Sequence, residues 1–585
     1  MNQSVTFMRI GVFFGGPSRE REISFAGGKT AFEYLDKSLF EPIPIFVDSF
    51  GRFIKLEHSY MYASQIRDFY PAENVQLDGF KTYIDSYPHL ASEPVPENIG
   101  LELAPSEFKD HFDFAFLAMH GPGCEDGAMQ GLLEWYQIPY SGPGLMGSAV
   151  GIDKILQNEM IALVNGQQKK SWTLRYDQWV QREYPLLFQV LKKHLGLPLV
   201  IKAPHQGSSI GVAIVKEDSL EDFIAAVNQC FFQIEVTAET WKSLDEKGKR
   251  TWAQKMANLD EGIGFPVVLK GESIYLPQQL INQLDTYFTD QHETLFLSSS
   301  NAEDQVLVEE FVNGQEFSCG CIQFDDGKPL ALPPSEVIKM VDVFDFNAKY
   351  KPGASRKRIP VDTTLSKNQE IQQVIAQVFE QLGINVCVRI DGFLTPDGTI
   401  LLHDPNTIPG MSPTSFIFKQ MAEIGLNVTQ ALTYLIRQSI RERIRTGKNT
   451  WNLRSLLQLL DTKIKKETWT VKPSTAIVFE ASDEDYVQTR LLYGKINAEG
   501  KSKPVPVLHA ADGKYYKLPN AFMFKEYVAD VEALLLEKRH PLLTETAERA
   551  KQTTDFYAGE VNYQVRKYES PELIEEITDW IFIKK

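Results

Sequence analysis

The stretch "HDPNTIPGMSPTS", residues 403–415, places Asp404 two positions before Asn406 at the end of the apolar run "TILL", then turns at Pro409-Gly410. Asp391 lies upstream in "VRIDGF", and the turn Pro396-Asp397-Gly398 folds the two runs side by side. Two carboxylates and an amide oxygen on neighbouring strands are hard donors of the kind Mg²⁺ shares with substrate phosphates. An Asx-turn pair at strand ends would use the same residues structurally. Arg389 favours the chemical reading: two positions before Asp391, it shares that strand face, and an arginine beside such acids suits a phosphate or a developing oxyanion.

A second constellation is "HQGSSIG", where flexible backbone N–H groups and the hydroxyls of Ser208 and Ser209 can wrap phosphate oxygens. An ordinary hairpin loop reads the same way. Lys154 and Lys202 can bring positive charge to such phosphates, although a single lysine is most often a solvated surface group. Glu316, after the "VEEF" turn, offers an acceptor for a ribose or an amine. No GxxxxGK[ST] loop occurs, so a Walker site is excluded.

These residues need elements to hold them. "RIGVFFGGPS" and "FDFAFLAMHG" read as buried strands ending in glycine, the first followed by a helix from about Ser24. Such alternation predicts an open α/β domain with its crevice at the strand C-ends. Asp153-Lys154 opens an amphipathic helix. "LPLVIKAPHQGSSIGVAIV" reads as a hairpin, and "VLVEEFVNGQEFSCGCIQF" as strand, turn, strand. Helices are expected over 366–382 and 413–440. Residues 217–304 read as a helix-rich insertion between β segments that share a sheet. The basic, glycine-containing stretch after Arg441 reads as a linker to a separately folded region.

At 585 residues the chain is too long for one ordinary core. A net charge of −17 argues against a general nucleic-acid binder. Five scattered cysteines without a CxxC pair predict reduced thiols and a cytoplasmic setting. Cys319 and Cys321, at period 2, share one strand face and read as packing. The opening "MNQSVTFMRIGVFFGG" reads as a first strand rather than a signal peptide, and no run is long enough to span a bilayer.

Taken in order, "FFGGPSREREIS", "MHGPGCEDGAMQGLLEWYQIPYSGPG", "GIDK", "VIKAPHQGSSIG", "VLVEEFVNGQEF", "FDFNAKY", "VRIDGF" and "HDPNTIPGMSPTS" resemble the D-alanine–D-alanine ligase family of the ATP-grasp superfamily, over about residues 8–440. The resemblance implies an α/β chain of ATP-grasp architecture, in which an N-terminal open α/β domain precedes two α+β domains that clamp ATP, here with an additional C-terminal domain. The expected domains are 1–142, 143–308 (with the 217–304 insertion), 309–445 and an accessory region 446–585. The implied reaction joins two D-alanines through an acyl phosphate, for peptidoglycan precursor synthesis, with ATP as co-substrate and Mg²⁺ (Mn²⁺ as an alternative). A homodimer, with no membrane or nucleic-acid partner, is the implied assembly.

Position by position, Glu20 matches the residue holding the first substrate's ammonium group, and His120 and Glu125 belong to the same pocket. Lys154 and Lys202 match phosphate-binding lysines. Ser208 matches a serine linking Glu20 to Tyr350, and Ser209 lies in the phosphate-covering loop. Glu309, Glu316 and Lys349 match nucleotide contacts. Arg389 and the Gly410 backbone match oxyanion stabilisers, and Ser415 matches a binder of the second substrate's carboxylate. Asp391, Asp404 and Asn406 match the magnesium ligands.

Departures are Asp404 in place of a glutamate, His205-Gln206 in place of a commoner Arg-Glu pair, His403 in place of an apolar residue, Glu310 in place of a lysine and Cys124 in place of a glycine. A ligase with a D-lactate or D-serine acceptor is the alternative reading, and a nucleotide-binding regulator without catalysis is the remaining one. Tyr350 favours an amine acceptor.

Overall fold

The computed structural model describes residues 7–181, 183–339, 355–447 and 450–583. The apolar run Met8–Gly15 is an interior strand of a five-stranded sheet, parallel to the central Phe40–Val47 on one side and to the edge strand Phe114–Leu117 on the other. Burial on both faces is what such uninterrupted apolar strands require. Gly15 and Gly16, at φ +89° and +98°, end the strand and release the loop that carries Ser18 and Glu20. The helix Arg21–Tyr34 follows, three residues earlier than the apolar pattern predicts.

The hairpin of Leu199–Lys202 and Val212–Val215 does share a sheet with Gln305–Glu310, across the intervening segment, and Ser171–Arg175 completes it. The "strand, turn, strand" run around Gly314 divides differently from a hairpin. Gln305–Glu310 stays in this sheet, whereas Gln315–Gln323 pairs with Cys387–Leu394 in a separate six-stranded sheet. Ile400–Asn406 pairs with Cys387–Leu394 through the expected Pro-Asp-Gly turn. Cys319 and Cys321 are fully buried beside Ile390 and Leu402, as packing residues. All five cysteines are buried free thiols.

The segment 217–304 is more than helix. Its strands Gln233–Val236, Val267–Leu269, Glu272–Ile274 and Leu295–Ser299 form an antiparallel four-stranded sheet, with a core of its own around Trp241, Phe265 and Leu284. Strands of three to five residues carry too little alternation to be read in the sequence.

The stretch read as a linker lies between two helices, with residues 448 and 449 outside the described residues. Helix Val428–Arg445 is followed by the helix Thr450–Trp469, and the remainder builds a five-stranded sheet in which Ser474–Glu480 runs parallel to Lys503–His509 and Asp579–Phe582. One hydrophobic core runs from Phe13 and Tyr34 through Leu432 and Tyr434 to Phe479 and Tyr493. A Cβ on Gly494 would lie 2.2 Å from the Tyr34 ring, so helix Asp483–Glu499 approaches helix Arg21–Tyr34 as only glycine permits. Arg437 ties the same region down, pairing with Asp325 at 2.7 Å and Asp461 at 2.6 Å. Among the described residues no helix is long and apolar enough to cross a membrane.

Candidate active site

The Ser18–Glu20 loop is set by its own hydroxyl: Ser18 Oγ donates to the His120 carbonyl (2.6 Å) and accepts from the Glu20 N–H (3.1 Å). This aims the Glu20 carboxylate, 4% exposed, across to the glycine–serine loop. Ser208 Oγ donates to Glu20 Oε1 at 2.5 Å, and the Gly207 N–H donates to Oε2 at 3.2 Å. A Cβ on Gly207 would lie 2.7 Å from that carboxylate, so any larger residue there would have to displace the Glu20 side chain. Ser208 and Ser209 both hold positive φ, +52° and +63°. Such left-handed backbone costs about 1–3 kcal/mol per non-glycine residue and persists where surroundings enforce it, often at functional sites.

Beside Glu20, His120 Nδ1 pairs with Glu125 Oε2 at 3.1 Å, and His120 Nε2 is buried without a protein partner. Burial, reinforced by the charge of Glu125, raises the Glu20 pKa. Burial alone would lower that of His120, but the bond to Glu125 and the charges of Glu125 and Glu20 outweigh it and raise it. This pocket is therefore acidic and buried, suited to a primary ammonium group.

The lysines lead to a second pocket. Asp153 caps helix Lys154–Asn165 by accepting the Ile155 and Leu156 N–H groups. Lys154 then reaches the Gln206 carbonyl at 2.6 Å and Asp404 Oδ1 at 3.1 Å. Lys202 meets Glu309 at 2.8 Å, and Lys169 meets the same carboxylate at 2.6 Å. Burial by itself would raise the Glu309 pKa; the two ammonium groups outweigh it and hold the carboxylate far below its ordinary range. Lys169, buried and opposed by Lys202, is pushed down. The sequence reading overlooked Lys169. It stands just before Ser171–Arg175, and only the pairing of that strand with Gln305–Glu310 brings it to Glu309.

Glu316 lies close enough to Lys202 to raise its pKa, after burial and together with Glu309 and Asp404. His403 stacks on Phe393, ring centroids 5.1 Å apart, with both ring nitrogens buried and lacking protein partners.

The strands Cys387–Leu394 and Ile400–Asn406 meet as expected, with Arg389 opposite Asn406 and Asp391 opposite His403. Asp404 is the bulge between them, at φ +53°, a conformation aspartate tolerates better than most residues. Arg389, 9% exposed, donates to both Asp391 oxygens at 3.1 Å, and Ser318 Oγ donates to Oδ1 at 2.6 Å. Asn406 Nδ2 donates to the Asp404 carbonyl at 2.6 Å. Two carboxylates and an amide on adjacent strands, each acid beside a cation, fit a hard divalent ion by donor chemistry. Among the described residues no three His, Cys, Asp or Glu side chains form a metal cluster.

The 403–415 stretch then passes under the first domain. Met411 lies at van der Waals distance from where a Gly27 Cβ would be, and a Cβ on Gly410 would meet nothing within 4 Å, so its backbone borders open space. Ser415 Oγ is buried without a protein partner and does not cap its own helix. An orphaned buried hydroxyl is the mark of a missing ligand or water. The charge of Arg389 acts on His120, so the two groups lie within electrostatic reach of one another. Lys349 and Tyr350 lie outside the described residues.

An antiparallel four-stranded sheet carrying a glycine–serine loop, together with a six-stranded sheet bearing paired acids and an arginine, is the arrangement expected of an ATP-grasp fold. Comparison with known proteins narrows the class. Residues 9–143 match the family model described as D-ala D-ala ligase N-terminus, and residues 231–437 that described as D-ala D-ala ligase C-terminus. The chain belongs to the D-alanine–D-alanine ligase family. It is 24% identical over 407 residues to the D-alanine–D-alanine ligase of Geobacillus kaustophilus, covering 70% of this chain and 88% of that protein. It is 25% identical over 444 residues to D-alanine–D-alanine ligase A of Brucella melitensis, covering 74% and 98%. A solved D-alanine–D-alanine ligase from Coxiella burnetii superposes with a TM-score of 0.49 at 21% identity, over 77% of this chain and 99% of that one. Residues 438–585 lie beyond both family models.

Proposed function

We infer that the chain is an ATP-dependent D-alanine–D-alanine ligase acting in peptidoglycan precursor synthesis in the cytoplasm. The observation that carries this is the Glu20 carboxylate, buried beside His120 and Glu125 and closed against the glycine–serine loop. It joins an ammonium-binding pocket directly to a phosphate-binding element.

In this reading Glu20, with His120 and Glu125 behind it, holds the ammonium of the first D-alanine. The carboxylate oxygen of that D-alanine attacks the γ-phosphorus of ATP, the bond to the β-phosphate oxygen breaks, and ADP leaves, giving D-alanyl phosphate. The free amine of the second D-alanine attacks the carbonyl carbon. The resulting oxyanion is stabilised by Arg389 and the Gly410 N–H, then collapses with loss of phosphate and, from the new amide nitrogen, a proton. Lys154, Lys202 and the Ser208–Ser209 loop neutralise and cover the phosphates, and Lys349 joins them. Glu309 orients Lys202 and Lys169, while Glu316 faces the nucleotide. Ser415 receives the second carboxylate. Asp391, Asp404 and Asn406 would hold Mg²⁺, or Mn²⁺, which supplies charge neutralisation at the transferring phosphoryl group. Catalysis is then mainly positioning and electrostatics. A homodimer is the assembly proposed.

The test is purified protein with ATP, Mg²⁺ and D-alanine, with phosphate and dipeptide measured together. Equal release of both supports the reading. Phosphate without dipeptide, relieved by D-lactate or D-serine, would reassign the acceptor. Neither product, with nucleotide still bound, would identify a regulator.

A further inference from the structure

Arg19 stands one residue before Glu20, is 7% exposed, and takes no part in the chemistry above. Its guanidinium lies 3.8 Å from the centroid of the Phe232 ring. It donates to Ser299 Oγ at 2.6 Å and the Ile263 carbonyl at 3.1 Å, with the Leu259 and Gly262 carbonyls at 3.5 Å. Every one of these groups belongs to the 217–304 segment. Ser299 is itself oriented by donating to the Ile263 carbonyl at 2.8 Å. A guanidinium held by carbonyls and a ring is costly to bury, and burial draws its pKa down to about 9. A fold that bears this cost has fixed the backbone next to Glu20 from the insertion side.

The same segment holds the other partner of the Glu20 contact. Glu303, 8% exposed, accepts from Gln206 Nε2 at 2.9 Å and pairs with His205 Nδ1 at 2.8 Å. Those two residues begin the loop whose Gly207 and Ser208 bind Glu20. Phe232 backs the end of that loop: a Cβ on Gly211 would lie 3.0 Å from its ring. One ring therefore supports Arg19 on one side and the loop on the other. His205 and Gln206 are two of the positions at which this chain departs from the family pattern, and Glu303 pairs with both.

We propose that Arg19 and Glu303 are positioning residues, through which the 217–304 segment clamps the Glu20 loop and the glycine–serine loop together over the reacting groups. The proposal rests on the ligase reading above. Its consequence is specific: a closed contact keeps water from the acyl phosphate until the amine attacks. A loosened contact lets the acyl phosphate hydrolyse, so ATP is consumed without dipeptide.

The experiment uses the full chain with Arg19→Lys and Glu303→Gln, each checked for native circular dichroism and melting. Arg19→Lys keeps the charge but loses the planar fork. Glu303→Gln keeps the shape but loses the charge opposite His205. Both are expected to raise the ratio of phosphate to dipeptide well above the wild-type value, and to lower dipeptide kcat on the order of 100-fold, the scale of a misplacement of about 1 Å. Phe232→Leu, which alters no charge, carries the same expectation should either variant fail to fold. Amide hydrogen exchange without substrate gives an independent readout: the segment around Gly207 should exchange faster in each variant. Wild-type exchange and an unchanged product ratio would overturn the clamp, as would a fall in both products with their ratio kept. If the wild-type protein makes no dipeptide while the variants still exchange faster, it is the ligase reading that fails and not the clamp.

Discussion

At the scale of single residues, the site is a set of buried charges that depend on one another. Asp391 and Asp404 each lie beside a cation, 3.1 Å from Arg389 and Lys154 respectively. Asp391→Asn and Asp404→Asn are each expected to reduce turnover about 100-fold or more at ordinary Mg²⁺, with the fold intact; a Mg²⁺ titration of phosphate release checks this, and wild-type turnover in either variant would remove that residue from the metal site. Asp404→Glu should retain activity with a small loss of stability, because glutamate is less at ease at φ +53°. Lys169→Met leaves Glu309 with Lys202 as its remaining lysine. Because Glu309 stays paired, the loss is that of one hydrogen bond to a charged group, roughly 1.5–3 kcal/mol, which denaturant unfolding should show, with a raised KM for ATP. Ser415→Ala should raise the KM for the second D-alanine roughly tenfold, the effect of a lost hydrogen bond of about 1.4 kcal/mol, and leave the KM for ATP unchanged. Initial-rate kinetics with varied D-alanine decide it.

At the scale of elements, the glycine–serine loop is held by polar contacts at successive residues, with Phe232 behind its end. His205 lies between Asp153 at 3.7 Å and Glu303, bonded at 2.8 Å, and these two carboxylates together raise its pKa to about 10. The imidazolium is therefore the working form at neutral pH. A pKa raised on folding contributes stability that is full below the unfolded value near 6.5 and lost as pH climbs toward about 10. The loop pin should weaken across that window. Melting temperature followed from pH 6 to 10 should fall more steeply in wild type than in His205→Gln, which starts lower and has no such group to lose. Parallel curves would show that His205 is not charged in the folded loop.

At the scale of the whole molecule, the C-terminal region is part of the enzyme's core. Tyr34, Leu35 and Val428 are buried in the cluster that also contains Phe479, Tyr486 and Tyr493. A chain cut after Gly447 would expose that apolar surface, at roughly 1.5–3 kcal/mol for each large side chain. Against a total stability of about 5–15 kcal/mol, such a chain is expected to aggregate or unfold, and its solubility and circular dichroism test this directly. A soluble, active truncation would show that the region is a detachable accessory domain after all.

How much of this the chain declares in one dimension follows from the range of the interactions. The glycine-ended strands, the Pro-Asp-Gly hairpin and the order of Glu20, Ser208, Arg389 and Asp404 are local patterns, legible because turn chemistry and side-chain alternation act within a few residues. Ser208 Oγ lies 2.5 Å from Glu20, and the onward link to Tyr350 that the family resemblance implies falls outside the described residues. Lys169, Ser318 and Glu303 were not legible, since each becomes part of the site only through strand pairing or a contact spanning many tens of residues. The shared core was not legible for the opposite reason: the basic, glycine-containing composition of 441–449 is local, whereas the burial that packs the following region into one core is not. The sequence by itself determined the chemistry available and the strands that carry it. Only the tertiary structure decided which distant side chains share a charge, because a salt bridge or a buried contact depends on separation in space, on which sequence spacing is silent.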